Sequence, residues 1–189
     1  MLYHVSKQSG IKILKPAIST HKKPYVYAIE NLVTGLLFGA PKDDFDFIIS
    51  NDENDRPIVY ECYPDAFSLV YKNRGCSVYE LEEAGFLRGM TSWSPELVSE
   101  NEVAVQNEIV IPDLYARLLE EEAQGNLILH RYSEDMEYKA RISRQVVDRL
   151  IRFEIDLEHC LEWGDERFRK YYGGIIRMLN SVMDGHLLQ

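Results

Sequence analysis

Three positions near the start of the chain and two in its middle carry side chains of the kind that work on a nucleotide. His4 lies in the apolar–aromatic run Leu2-Tyr3-His4-Val5-Ser6, where its imidazole could donate to a ribose hydroxyl or an amide. Tyr25 and Tyr27 alternate with Val26 and Ala28, so both fall on one face of a strand and could stack on a flat heterocycle. Across residues 103–111 the same alternation points Gln106 and Glu108 one way, beside Ala104 and Val110. A carboxylate with such neighbours is partly desolvated, the condition for stabilising positive charge in a transition state. Each residue also has an ordinary structural role open to it. A lone strand histidine is commonly bonded to backbone, a tyrosine is commonly core, and a strand glutamate commonly faces solvent.

Positioning these side chains takes strands. Leu2–Ser6 and residues 25–29 are predicted strands, joined by a turn-rich connection from Gly10 to Pro24. Asn31 is a predicted helix N-cap, followed by Leu32, Val33, Leu36 and Leu37 at helical spacing and stopped by Gly39 and Pro41. Further strands are predicted at 45–49, 57–61, 77–81, 103–111 and 127–132, with a helix or hairpin at 66–71. Residues 82–102 read as loop with a short strand near Trp93. Pro112 and Asp113 open a helix that Gly125 closes.

Beyond Ser133 the pattern changes. Ile142, Val146, Leu150, Phe153 and Leu157 fall at helical spacing, Gly164 breaks the run, and Asp165 can cap a second helix striped with Phe168, Tyr172, Ile175 and Leu179. The expected organisation is α+β: a strand-rich body over residues 1–139 and a helical hairpin over 140–189.

Composition limits the functional classes. A chain of 189 residues is long enough to bury a core. Its formal charge of −10 works against nucleic acid, whose binding rests on clustered Lys and Arg. Cys62, Cys76 and Cys160 are widely spaced with no CxxC pair, so neither a metal site nor a disulfide framework is expected, and a reduced, cytoplasmic setting is. The N-terminus lacks a basic region followed by an apolar stretch, so no signal peptide is expected. No window approaches the roughly 20 apolar residues of a membrane span.

Taken in order, these runs resemble the ADP-ribosyltransferase-like fold, the group of diphtheria-toxin-like and poly(ADP-ribose)-polymerase-like enzymes. The likeness covers about residues 1–132 and rests on Leu2-Tyr3-His4-Val5-Ser6, Gly10 with Leu14 and Pro16, Pro24-Tyr25-Val26-Tyr27-Ala28-Ile29 with its Asn31 helix, and Gln106-Asn107-Glu108-Ile109-Val110-Ile111-Pro112. It implies a split antiparallel β-sheet core gripping NAD, used as a substrate. By the same resemblance His4 binds the ribose and nicotinamide region, Tyr27 or Tyr25 stacks on the nicotinamide, and Glu108 stabilises the oxocarbenium-like ribose left when nicotinamide departs. Ser6 and Gln106 would sit beside them in the NAD site. Val5 departs from the pattern, because many members have glycine directly after the histidine. Glu80 competes with Glu108 for the carboxylate role.

Two functions stay open. One is an NAD-dependent ADP-ribosyltransferase or NAD glycohydrolase, with an acceptor, a protein for instance, that the sequence does not identify. The other is a non-catalytic member of the same fold, binding a ligand or a protein, with the C-terminal helices available for a homo-oligomer contact. An RNA-end phosphotransferase of this fold fits poorly with the acidic charge and the missing Arg/His cluster.

Overall fold

A computed structural model describes residues 1–18, 23–42, 46–91 and 93–152. Among them the protein is mixed α+β, with mostly antiparallel sheets and four helices. The chain divides into two compact units. The first takes in Met1–Lys42, Ile49–Val59 and Phe67–Leu129; the second contains, of the described residues, 46–48, Tyr60–Ala66 and 130–152.

The first unit is built on an antiparallel sheet. Its strands are β1 (Leu2–Ser6), β3 (Ala17–Ile18), β4 (Pro24–Ile29), β7 (Cys76–Leu81), β8 (Leu87–Arg88), β9 (Glu96–Ser99) and β11 (Asn107–Ile111), in the order β11-β7-β1-β4-β9-β8 with β3 also on β4. β2 (Ile13–Leu14) pairs separately with β10 (Val103–Ala104). A three-stranded sheet of β5 (Phe47–Asn51), β6 (Pro57–Glu61) and β12 (Ile128–His130) has the order β12-β6-β5.

The main sheet is covered differently on its two faces. On one, Leu2, Val26, Ala28, Tyr79, Leu81 and Leu97 pack with Leu14 from β2 into a closed apolar layer. Against the other lies α1 (Leu32–Leu36), capped by Asn31, whose Oδ1 accepts the Thr34 N–H at 3.0 Å. Two glycines, Gly35 in the helix and Gly39 three residues past its end, let this segment come close. A Cβ at Gly35 would stand 3.1 Å from Ile29 Cγ2, and one at Gly39 would stand 2.8 Å from Cys76 Sγ. Helix α2 (Ala66–Tyr71) adds Tyr71, whose hydroxyl donates to the Leu37 carbonyl at 2.8 Å. Helix α3 (Leu114–Ala123) starts at Asp113, which accepts from Ala116 N–H at 2.9 Å, and buries Leu114 and Leu118.

The second unit is organised around aromatic contacts. Tyr60 stacks on His130 with centroids 4.3 Å apart and planes at 7°, and the Arg141 guanidinium lies 5.6 Å over Tyr60. The Glu61 carboxylate accepts the Tyr132 N–H at 2.9 Å. Helix α4 (Met136–Arg152) starts a turn earlier than its apolar spacing suggests, because Asp135 Oδ1 accepts from both Glu137 and Tyr138 N–H. The rest of the expected hairpin, with its proposed oligomer contact and Cys160, lies outside the described residues. Cys62 and Cys76 are buried free thiols. Among the described residues no helix is long and apolar enough to cross a membrane.

Candidate functional site

Strand register decides which of the candidate residues meet. His4 pairs with Tyr79 across β1 and β7, and Tyr79 pairs with Glu108 across β7 and β11, so the three stand in a row on the closed face. Tyr3 pairs with Ile29 across β1 and β4, which puts Tyr27 and Tyr25, at two-residue steps from Ile29, on the opposite face. The structure therefore brings His4 and Glu108 to one side of the sheet and the two tyrosines to the other.

Within the row, the polar groups are turned toward the protein's own backbone. His4 Nδ1 donates to the Tyr27 carbonyl at 2.8 Å. Burial lowers its pKa, with that backbone bond a smaller opposing influence, so the ring is neutral at pH 7. Both oxygens of Glu108 accept from the Gly10 N–H, at 2.9 and 3.1 Å. Gly10 has φ +77°, which glycine adopts without strain and which aims its N–H at the carboxylate. That bond, then one from the Ser77 hydroxyl, holds the Glu108 pKa below the ordinary carboxylate value. The Tyr79 hydroxyl donates to the Gln8 carbonyl at 2.6 Å, receives the Ile11 N–H at 3.2 Å, and stands 3.2 Å from Glu108 Oε1. Ser6 Oγ accepts the Gln8 N–H at 3.1 Å. Together these bonds pin residues 8–11 as a fixed turn. Here a carboxylate and a phenol satisfy backbone groups left open after β1.

Gln106 is exposed and contributes its backbone N–H to the Glu80 carbonyl at 2.9 Å. The expected single strand over 103–111 is two strands, β10 and β11. Val105 N–H goes to the Lys12 carbonyl and Gln106 N–H to Glu80, so the chain changes partners at this step and the alternation restarts. Glu80 pairs with Tyr3, which places it on the tyrosine side, and its carboxylate accepts from Asn107 Nδ2 at 3.0 Å.

The tyrosine side carries an open cleft of about 280 Å³. Its floor comes from the stretch Tyr3–Val5 on β1 and Tyr27–Ile29 on β4, with Gly35 of α1 allowing access where a side chain would fill the space. Phe38, Trp93 and Glu96 form its walls. The Phe38 and Trp93 rings stand 5.2 Å apart at 50°, an aromatic corner. Tyr25 is 3% exposed and meets Tyr27 edge-on at 5.9 Å; its hydroxyl is buried without a hydrogen-bond partner among the described residues. Burial, then the adjacent Glu96 carboxylate, raises the Tyr27 pKa. Among the described residues no Lys or Arg is in the lining, and Lys42 Nζ stands 4.6 Å from the centroid of the Phe38 ring. Nor, among them, are three His, Cys, Asp or Glu side chains grouped to hold a metal ion.

Sequence reasoning named Tyr27 but not the cleft's walls. Phe38 follows the apolar stripe of α1, 44% exposed just beyond the helix end, which is the one local signal it offered. Trp93 and Glu96 come from a loop and a short edge strand, and no spacing links them to residue 38. In comparisons with known proteins, no family model matches the chain, and no curated protein or solved structure matches it either.

Proposed function

We propose that this protein is a non-catalytic, ligand-binding member of the ADP-ribosyltransferase-like fold, with its ligand in the aromatic cleft of Tyr3, Tyr27, Phe38 and Trp93. One observation carries the reading: the His4 and Glu108 side chains are bonded to the protein's own backbone on one sheet face, while Tyr27 opens into a cleft on the other. Cleavage of a nicotinamide–ribose bond needs the stacking ring and the charge-stabilising carboxylate on the same reacting centre. A partly apolar, aromatic concavity with one carboxylate is instead suited to holding a compact ligand.

The second reading, an NAD-cleaving enzyme, draws on the fact that His4 and Tyr27 both border the cleft. Nicotinamide release from NAD separates the two. The proposal expects no release above background from the wild-type protein or from Glu108→Ala. Turnover by the wild type that disappears in a folded Glu108→Ala variant would establish the enzyme and return Glu108 to a catalytic role.

A further inference from the structure

We propose that the outer edge of β11 pairs antiparallel with β11 of a second copy of this chain, joining two central sheets into one about a two-fold axis at Ile109. This pairing is independent of what fills the aromatic cleft.

The central sheet ends in two strands that are defended differently. β8, at one end, has two residues, and its Arg88 is held by the carboxylates of Glu30 and Glu83. Shortness and charge are the usual means of keeping an edge from pairing. β11, at the other end, has five residues, and among the described residues β7 is its only strand partner. It contains no lysine and no proline, and Ile109 and Val110, on opposite faces, are 36% and 61% exposed. Its two polar side chains are engaged within the chain, Glu108 with the Gly10 N–H and Asn107 with the Glu80 carboxylate. In an antiparallel ladder alternate residues turn N–H and C=O away from the strand they pair with, so β11 presents a row of both on the side away from β7.

An extended strand fits such a row, and two features favour one from a second copy. A strand paired antiparallel with its own copy matches each donor to an acceptor about a two-fold axis, the isologous arrangement of most dimers. Centred on Ile109, the pairing sets Ile109 beside its counterpart and residue 105 level with residue 113. Lys12, exposed, adjoins residue 105, since its carbonyl accepts the Val105 N–H at 3.0 Å. Asp113, also exposed, follows β11 at the other end as the cap of α3. Each end of the joint ladder therefore brings Lys12 of one copy toward Asp113 of the other. Pro112 has no N–H to donate and bounds the pairing, so the interface is narrow and the dimer depends on concentration.

The test is sedimentation equilibrium of the full chain over a range of concentrations. The wild type is expected to pass from monomer to dimer as concentration rises. Val110→Lys puts on β11 the residue that commonly guards sheet edges. It is expected to weaken association at least about tenfold while far-UV circular dichroism stays that of the wild type. Ile109→Cys, in a chain carrying Cys160→Ser, is expected to give a disulfide-linked dimer on mild oxidation, because directly opposed residues of an antiparallel pair stand close enough for one. Asn107→Cys in the same background faces residue 111 of the other copy and is expected to stay unlinked. A protein that remains monomeric at every concentration would overturn the proposal. A dimer untouched by Val110→Lys would place the contact elsewhere on the chain, and linkage through Asn107→Cys but not Ile109→Cys would overturn the two-fold axis at Ile109.

Discussion

The two faces of the central sheet use similar residue types to opposite ends. On the His4 face, a histidine, a tyrosine and a glutamate stand in one row, and their bonds return to the backbone of residues 8–11, to Tyr27 or to one another. On the Tyr27 face, aromatic rings and a carboxylate line a space that the protein leaves open. The difference teaches that functional-looking side chains are told apart by where their polar atoms are already engaged. The Glu108 carboxylate holds the turn after β1, and the Glu96 carboxylate lines the cleft.

Substitutions can break this contrast. The largest effect is expected at Tyr79, fully buried on the closed face. Tyr79→Phe leaves the Gln8 carbonyl and Ile11 N–H without their partner, and chemical denaturation should show a loss of about 1–3 kcal/mol. A stability unchanged from wild type would mean that the turn is not held by this row.

A smaller effect is expected at Glu108, and it depends on pH. Its folded pKa lies below the ordinary value of 4.5, so the carboxylate stabilises the fold above that pH, and this contribution is lost as pH falls through the folded pKa. Glu108→Gln should lower the urea midpoint at pH 7, and the gap from wild type should close as the pH is taken well below 4.5. A variant as stable as wild type at pH 7 would mean that the carboxylate does not hold the Gly10 turn.

The smallest change in stability belongs to the open face. Phe38→Ala, at a position 44% exposed, should stay within about 0.5 kcal/mol of wild type in the same assay. If it instead unfolds the protein, the cleft wall is core and the contrast between the faces collapses.

Much of the local structure was legible in the sequence, because local structure is set by local chemistry. The strands Leu2–Ser6 and Pro57–Glu61 carry short apolar runs bounded by turn residues, and Asn31 and Asp113 are caps whose side chains reach N–H groups three residues ahead. The sheet faces were not legible in this way. Alternation settles that Tyr25 and Tyr27 agree with each other, but whether they agree with His4 depends on Tyr3 meeting Ile29, a pairing across 26 residues. The break between β10 and β11 has the same origin: Val105 turns to Lys12 and Gln106 to Glu80, partners that no window around residue 105 contains. Phe38 and Trp93 meet through tertiary packing alone.

The placement of β1 carries a consequence for the order of events in folding. Of the strands in its sheet β1 is synthesised first, yet it lies inside, between β4 and β7. Its following turn is fastened by Tyr79 and Glu108, residues 71 and 98 positions away from Gln8 and Gly10. Contacts at such separations form slowly, since the intervening chain must first be gathered in. The strand thus emerges before its neighbours, with one edge unpaired until β7 has followed it and its turn unfastened by Glu108 until β11 has.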